Sequence, residues 1–255
     1  MNFSPTELLA VMAARQLTGV TSVFAGVGVP LVSAVLAQKT HAPQLIIVVE
    51  GGSMGPQMMP GRLPYSTNEM RTACRAQMLP GITDTFLFAQ RGFLDVGFVG
   101  GAQIDPFGNL NSSVIGSYQR PTVRLPGSGG ANDIISLCRN VMVVTMHEKR
   151  RFVPKVDFVT SPGFLAGGEA RHRAGLLFGK VSRIVTNLGI LEFDDVTKRL
   201  RLERIHPGVS VKAVQENTGF ALAVPDPLPM TEAPTELELR MLRGIDPDRN
   251  FLGAA

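Results

Sequence analysis

The most constraining feature of this sequence is a pair of short apolar segments on either side of a helical pattern, within residues 20–50. The first segment, VTSVFAG, ends in a glycine, and Pro30 opens a helical stretch with the sequence PLVSAVLAQ. The second segment, QLIIVVE, is apolar without alternation, as is typical of parallel strands buried on both faces. A strand–turn–helix–strand unit of this kind requires a right-handed crossover. The sequence therefore predicts an α/β fold with a single open, mainly parallel sheet flanked by helices.

The remaining segments supply further helices and strands. Residues 4–17 predict a helix that Ser4 caps, with Pro5 at its first position and Glu7 completing a capping box. Strands are predicted for LDVGFVGGAQID and NVMVVTMH, and two more around a turn at 194–198 within residues 181–203. Helices are predicted for TDTFLFAQRG, SVKAVQENTGF and TELELRMLRG, with one short helix at 68–78 in an otherwise loop-like stretch and a turn-rich stretch at 108–133. We find no internal repeat and no linker, so the prediction is a single domain over residues 1–255.

Composition disfavours several classes of protein and site. Hydrophobic residues make up 44% of the 255 and charged residues 18%, as in ordinary globular proteins. The chain has no run of 18 apolar residues and no signal-peptide pattern at its N-terminus, so we expect a cytoplasmic protein with no membrane partner. Cys74 and Cys138 have no CxxC spacing, which indicates free thiols. The four histidines are too dispersed to predict a metal site.

The formal net charge of +4 comes from scattered cations and one basic run, HEKRRF at 147–152. Nucleic-acid-binding proteins usually combine a basic stripe with aromatic side chains, and this chain has no tryptophan and only two tyrosines. We therefore expect no nucleic-acid partner. The run itself predicts a solvated loop or a local ion-pair cluster.

Glu50 is the main candidate for chemistry, because it ends an apolar strand and is followed by GGSMGP. One interpretation is the ribose-binding acid of a dinucleotide fold, which needs G-x-G-x-x-G after the first strand. GVGVPL supplies Gly26 and Gly28, but Leu31 replaces the third glycine and Pro30 removes a backbone N–H, which disfavours this interpretation. Glycines beside the acid favour close approach by another molecule. The residues leave open a general base, a metal ligand, a nucleophile, a solvated turn acid or a helix cap.

Two further glycine-rich clusters, VGGAQIDPFGN at 99–109 and GSGGAND at 127–133, bear on this choice. In an open α/β sheet, loops at the carboxyl ends of strands gather at the edge where ligands bind. Three such loops around one acid predict a site built from backbone N–H groups, an arrangement that stabilises a developing oxyanion. Each cluster taken alone is equally well explained as a tight turn.

Six stretches of the chain, taken in order, resemble the β subunit of a family I coenzyme A transferase, of the glutaconate CoA-transferase type. They are GVGVPLVSAVLA, IIVVEGGSMG, FVGGAQIDPFGNLNSSVIGSYQRP, GSGGAND, MHEKRRFVPKVDFVTSPG and ENTGF. The resemblance covers nearly the whole chain and is most specific over residues 98–163. It implies that the acid after the IIVV strand, Glu50, is catalytic. The next residue is often serine or asparagine in that family, whereas this chain has Gly51.

The resemblance implies a ping-pong reaction in which ionised Glu50 attacks an acyl-CoA thioester, forms a mixed anhydride, and then becomes an enzyme–CoA thioester. Coenzyme A is thus a substrate and part of a covalent intermediate, with no permanently bound cofactor. We assign the oxyanion donors to the backbone N–H groups of Gly129 and Gly130. Three residues are predicted to shape the opposite wall of the site: Gly100, Gly101 and Gln103.

The resemblance also implies an α subunit as partner, in an α2β2 assembly, with an acyl-CoA and a carboxylic acid as substrates. It favours a dicarboxylate such as glutaconate, whose distal carboxylate Arg71 or Arg124 would hold, although surface ion pairing is the role expected of either arginine taken alone. Two alternatives stay open. One is an acyl-CoA hydrolase or decarboxylase of the same superfamily, which retention of Glu50 argues against. The other is a non-catalytic acyl-CoA-binding subunit on the same scaffold.

Overall fold

The computed structural model describes residues 2–253, which form two compact units. The first unit comprises residues 2–99 and 233–253, and the second comprises residues 100–232. The helices are α1 (Pro5–Arg15), α2 (Val29–Thr40), α3 (Ile82–Gln90), α4 (Ala131–Leu137), α5 (Ala170–Arg173), α6 (Val211–Glu216) and α7 (Glu236–Ile245). The first strands are β1 (Ser22–Phe24), β2 (Ile46–Val49), β3 (Ser53–Met54), β4 (Val96–Val99), β5 (Gln103–Ile104) and β6 (Leu110–Asn111). The others are β7 (Val114–Gly116), β8 (Pro121–Arg124), β9 (Asn140–Val144), β10 (Val181–Val185), β11 (Gly189–Phe193) and β12 (Leu200–Ile205). The expectation that residues 1–255 form a single domain stays a prediction.

In the first unit, β1 lies between β2 and β4 and pairs in parallel with both. The short strand β3 turns back antiparallel to β2. Ile47, Val48 and Val49 are consecutive and all buried, so both faces of β2 are covered, as its unbroken apolar run predicts. Helices α1, α2 and α7 pack against one another in this unit. The strand–turn–helix–strand prediction for residues 20–50 is confirmed.

The capping box predicted at the start of α1 is confirmed, and its acid has a second role besides starting the helix. The Glu7 carboxylate accepts hydrogen bonds from the Ser4 backbone N–H, at 2.8 Å, and from Nε of Arg243, also at 2.8 Å. Arg249 donates to the same carboxylate at 3.2 Å. The hydrogen bond from Arg243 lowers the pKa of Glu7 to about 2, although burial of the carboxyl opposes that shift. One acid therefore caps α1 and ties it to the C-terminal segment of the same unit.

In the second unit, β9 and β10 are parallel, and β10, β11 and β12 form an antiparallel meander. The prediction of two strands within residues 181–203 is wrong, because this segment contributes to three. A tight turn after β10 causes the difference: the Thr186 hydroxyl accepts from the backbone N–H groups of Leu188 and Gly189. The turn predicted at 194–198 is present between β11 and β12.

The stretches expected to be irregular contain a few very short elements. Two hairpins, β5 with β6 and β7 with β8, form around the turn-rich stretch, and strands of two to four residues are too short for an alternating pattern to show. A 3₁₀ turn at Met70–Ala73 stands where the short helix was predicted. Cys74 and Cys138 are free thiols, as expected. No helix within residues 2–253 has the length and apolar character needed to cross a bilayer.

Candidate active site

Glu50 lies in the first unit, in the turn that joins β2 to β3. Residues 50–52 form this turn, in which the Gly52 N–H donates to the Val49 carbonyl at 3.0 Å. The Glu50 residue is partly exposed. Because β2 runs parallel to β1, the turn is at the carboxyl end of a parallel strand, the edge where α/β sheets bind ligands. Glu50 therefore follows directly after β2, as expected from the sequence, and its catalytic role stays a prediction.

Close packing of the chain explains the two glycines after this acid. A Cβ on Gly51 would collide with the backbone carbonyl of Thr67 and would lie 2.6 Å from the side-chain oxygen of Asn68. Gly52 has a φ of +96°, and a Cβ there would collide with the carbonyl of Pro80. The expectation that these glycines give another molecule access is thus replaced by an internal reason. They let the turn that carries the acid lie directly against neighbouring backbone.

Gln103 is a buried residue of β5 in the second unit, and both ends of its amide are hydrogen-bonded. Its Nε2 donates to the Asp157 carboxylate at 2.9 Å. Its Oε1 accepts from Nδ2 of Asn111 at 2.6 Å and from the Asp157 backbone N–H at 3.0 Å. Gln103 therefore braces the loops around β5, and any influence on the wall of the site is exerted through this bracing.

Gly101 is hydrogen-bonded to an arginine of the basic run at 147–152. Its carbonyl accepts a hydrogen bond from Nη1 of Arg151 at 3.1 Å. Glu148 pairs with both Arg150 and Arg151, and the hydrogen bond from Arg150 lowers the pKa of that carboxyl. The predicted local ion-pair cluster is confirmed, and it also fixes the chain at Gly101. Gly100 is exposed beside it.

Gly129 and Gly130 form the turn that leads into α4. Gly129 has a φ of +50°, which favours glycine, and Gly130 is the N-cap residue of the helix. Within residues 2–253, neither glycine donates its backbone N–H to another group. The loop is anchored earlier by Gly127, whose N–H donates to the Ser112 carbonyl at 2.8 Å. Two N–H groups of this loop are therefore available as hydrogen-bond donors.

A buried polar network joins this loop to Gln103. The Thr160 hydroxyl accepts from the Ser112 N–H at 2.9 Å, and the Thr160 carbonyl accepts from Asn132 of α4 at 2.8 Å. The same hydroxyl donates to the side-chain oxygen of Asn111, at 3.4 Å, and Asn111 in turn bonds Gln103. The network thus links Gln103 to Asn132, which follows Gly129 and Gly130 by two to three positions.

Sequence reasoning did not single out Asn111, Asp157 or Thr160. All three lie in the 98–163 stretch that carries the family resemblance, so the motif was the available signal. Their partners are distant along the chain, with 54 positions separating Gln103 from Asp157. No local pattern shows such a pairing.

His147 is buried and serves as a structural residue. Its ring nitrogens lie 3.2 Å from the Thr186 hydroxyl and 2.9 Å from the Thr218 hydroxyl. The imidazole stacks on the ring of Phe152, with centroids 4.0 Å apart. Burial lowers the pKa of His147 to about 4, so the imidazole is neutral at neutral pH. Gly219 of the ENTGF stretch donates its N–H to the Phe152 carbonyl at 2.7 Å, so this stretch lies against the segment that carries the basic run.

The two arginines considered for a distal carboxylate already have neighbours. Arg71 pairs with Glu69 and donates to the Leu63 carbonyl at 2.9 Å. Arg124 lies over the ring of Tyr118. In the part of the chain that the structure describes, no group of three or more His, Cys, Asp or Glu side chains is arranged to hold a metal ion.

The chain is similar to known proteins of one family along most of its length. Residues 6–217 match the family described as Coenzyme A transferase. The chain is 38% identical over 245 residues to one subunit of the 3-oxoadipate CoA-transferase of Pseudomonas knackmussii, covering 96% of this chain and 94% of that protein. It is 39% identical over 259 residues to one subunit of the glutaconate CoA-transferase of Acidaminococcus fermentans, covering 98% and 96%.

A solved structure extends the likeness to the fold. The crystal structure of glutaconate coenzyme A-transferase from Acidaminococcus fermentans matches with a TM-score of 0.91 and 37% sequence identity, covering 100% of this chain and 99% of that one. The predicted fold class, an open and mainly parallel sheet flanked by helices, is confirmed by this match.

Proposed function

The chain belongs to the coenzyme A transferase family, and from this premise we propose that it is the β subunit of an enzyme that moves coenzyme A from an acyl-CoA to a carboxylic acid. The observation that carries the proposal is Glu50 at the carboxyl end of β2, in a turn whose next two positions admit only glycine. Packing of this kind fixes the backbone that carries the acid. That is what a nucleophile requires.

In the proposed reaction, a Glu50 oxygen attacks the thioester carbonyl and the C–S bond breaks. CoA departs as the thiolate, and an acyl-glutamyl anhydride remains on the enzyme. The thiolate then attacks the glutamyl carbonyl, which releases the first carboxylate and forms the glutamyl-CoA thioester. The acceptor carboxylate attacks this thioester and the same two steps run in reverse, ending in a new acyl-CoA and the regenerated Glu50 carboxylate. No net proton is consumed, so a carboxylate nucleophile suffices without a general base.

We assign stabilisation of the developing oxyanion to the backbone N–H groups of Gly129 and Gly130. Two observations support this assignment. Neither N–H group donates to another part of residues 2–253, and the loop that carries both glycines is anchored through Gly127. Removing one donor of this kind typically costs about 10²–10³ in rate. Gly100, Gly101 and Gln103 are assigned to the opposite wall, where Arg151 donates to the Gly101 carbonyl and the Asp157 carboxylate accepts from the Gln103 side-chain amide.

The proposed substrates are a dicarboxylic acid and its CoA thioester. The support is that the two relatives are named for glutaconate and for 3-oxoadipate, both of which are dicarboxylic acids. Transfer is favoured over hydrolysis or decarboxylation because the chain retains Glu50, the residue on which the transfer intermediate forms.

The decisive experiment is to trap that intermediate. After incubation of the assembled enzyme with glutaconyl-CoA and acid quench, trypsin should release residues 40–62, in which Glu50 is the only acid and no cysteine occurs. We expect this peptide to gain the mass of CoA less one water. The matched Glu50→Gln enzyme should show no gain. An unmodified peptide during undiminished turnover would contradict the nucleophile assignment.

We further propose that the chain works with an α subunit, in an α2β2 assembly. Both relatives are named as one subunit of a CoA-transferase, which supports an enzyme built from more than one kind of chain. The first unit also exposes five apolar side chains within residues 78–93, here called the α3 patch: Met78, Leu79, Ile82, Leu87 and Phe93. Contiguous apolar surface of large extent is typical of interaction sites. Pro80 lies between Leu79 and Ile82 of this patch, and its carbonyl packs against Gly52 in the turn that carries Glu50.

Replacing Leu87 with glutamate should weaken association with the α subunit at least about tenfold, because an anchor in such a patch is typically worth more than 1 kcal/mol. Co-purification of a tagged α subunit from co-expression, followed by titration, measures this. Val196→Glu is the control, since Val196 is an exposed apolar residue outside the patch. Equal association of both variants, or full transferase activity of the β chain alone, contradicts the proposal.

A further inference from the structure

Two aromatic side chains lie stacked on the surface of the second unit, and the proposed chemistry does not use them. The ring centroids of Tyr118 and Phe158 are 5.3 Å apart, with 23° between the ring planes. Tyr118 is 53% exposed and Phe158 is 37% exposed. The guanidinium of Arg124 lies 5.3 Å from the centre of the Tyr118 ring. We call this exposed group of two rings and one cation the aromatic platform.

The platform is rigid because both rings are attached to backbone that the buried network holds. Phe158 follows Asp157, whose carboxylate accepts from Gln103 at 2.9 Å and from the Gly116 N–H at 2.9 Å. Tyr118 lies in the turn between β7 and β8, which the hydrogen bond from the Arg120 N–H to the Ser117 carbonyl closes at 3.2 Å. A binding surface ordered in advance loses little conformational entropy when a ligand arrives.

The charges around the platform select an anionic ligand. Arg120 and Arg124 belong to the hairpin that bears Tyr118, and residues 106–132 contain no aspartate or glutamate. Asp157 precedes Phe158 in the chain, and its carboxylate is hydrogen-bonded to Gly116 and Gln103. A flat ring surface with the Arg124 guanidinium over it, and a second arginine in the same hairpin, matches a purine base that carries phosphates, because bases stack on aromatic rings and arginine binds phosphate.

We infer that the aromatic platform binds the adenine nucleotide end of coenzyme A. The inference rests on the proposed function, since it assigns one part of that substrate to residues of this chain. The base stacks on Tyr118, and Arg120 and Arg124 pair with the phosphates. The binding energy of this end, which takes no part in the chemistry, is then available to stabilise the transition state.

The position of the platform along the chain agrees with this assignment. Strand β8 ends at Arg124, and the five residue steps from there to Gly129 span at most roughly 17 Å when extended. In coenzyme A, a long pantetheine arm separates the nucleotide from the thioester. The nucleotide therefore binds at some distance from the oxyanion donors, and the aromatic platform meets that requirement.

The test uses adenosine 3′,5′-bisphosphate, the nucleotide part of coenzyme A, titrated calorimetrically into the assembled enzyme. Tyr118→Ala is expected to raise its Kd about tenfold, since stacking of one base is worth roughly 1–3 kcal/mol. Tyr118→Phe should retain the wild-type Kd, because the ring is preserved. The matched control is Tyr65→Ala: Tyr65 is the only other tyrosine, is 59% exposed, and also has an arginine over its ring.

Kinetics supply a second readout. Tyr118→Ala should raise KM for the acyl-CoA about tenfold while leaving KM for the matching acyl-pantetheine, which lacks the nucleotide, unchanged. Equal Kd values in wild type and Tyr118→Ala overturn the inference. So does an equal rise in both KM values, or a loss of α-subunit association, which would identify the platform as a protein interface.

Bisphosphate binding also separates failure of this inference from failure of the proposed function. It needs no turnover, so the Glu50→Gln enzyme is expected to bind the nucleotide with the wild-type Kd. Tyr118-dependent binding without any CoA transfer would refute the proposed reaction alone. CoA transfer with Tyr118-independent binding would refute the platform alone.

Discussion

Replacing Glu50 with glutamine is expected to lower kcat/KM for CoA transfer by roughly 10⁴–10⁶-fold, the range seen when a nucleophile is removed from an enzyme that uses covalent catalysis. The amide has nearly the shape of the carboxylate but is a far weaker nucleophile, so neither the anhydride nor the glutamyl-CoA thioester forms. The measurement is the steady-state rate of acyl-CoA formation from glutaconyl-CoA and a series of acceptor acids, with the α subunit present.

Two further variants make this result specific. Glu50→Asp keeps the charge but withdraws the carboxylate by about one bond length, and a displacement of this order costs on the order of 10²-fold in rate. Glu236→Gln removes an exposed acid at the start of α7 and should leave the rate within about twofold of wild type. A Glu50→Gln enzyme that retains more than a tenth of the wild-type rate would show that Glu50 is not the nucleophile.

The second large effect concerns stability in acid. Between pH 6.5 and 4, the free energy of unfolding should fall by on the order of 3 kcal/mol through His147. The unfolded chain protonates this histidine near its ordinary pKa of 6.5, whereas in the folded protein burial lowers the pKa of His147 to about 4. The unfolded state thus binds more protons throughout this window, so the stability that a neutral His147 provides is lost as the pH falls.

Urea unfolding at several pH values measures this slope, and His147→Gln should remove the contribution of His147 from it. The glutamine side chain retains hydrogen-bonding groups toward Thr186 and Thr218 but does not titrate. Lower stability of this variant at neutral pH is expected, because the stack on Phe152 is lost. His172→Gln is the matched control, since His172 is exposed. An unchanged slope in His147→Gln would contradict the assignment.

Some of this protein could be predicted from local sequence. The capping box of Ser4 and Glu7, the strand Ile46–Val49 and the acid directly after it all depend on residues a few positions apart. The hydrogen bonds of this helix cap join residues three positions apart. An apolar run without alternation indicates that both faces of a strand are covered. For that reason local sequence indicated the fold class and Glu50 as the candidate for chemistry, while the role of Glu50 as nucleophile came from the family resemblance.

Other features were decided only by the tertiary structure, because they depend on groups far apart in the chain. Gly51 is explained by the Thr67 carbonyl, and the amide of Gln103 by Asp157, 54 positions away. The stack of Tyr118 on Phe158 joins two segments in the same way. Local patterns report which residues are buried and where the chain turns. Which polar group meets which in the interior is set by the packing of whole segments, and the pKa of a buried side chain follows from that packing.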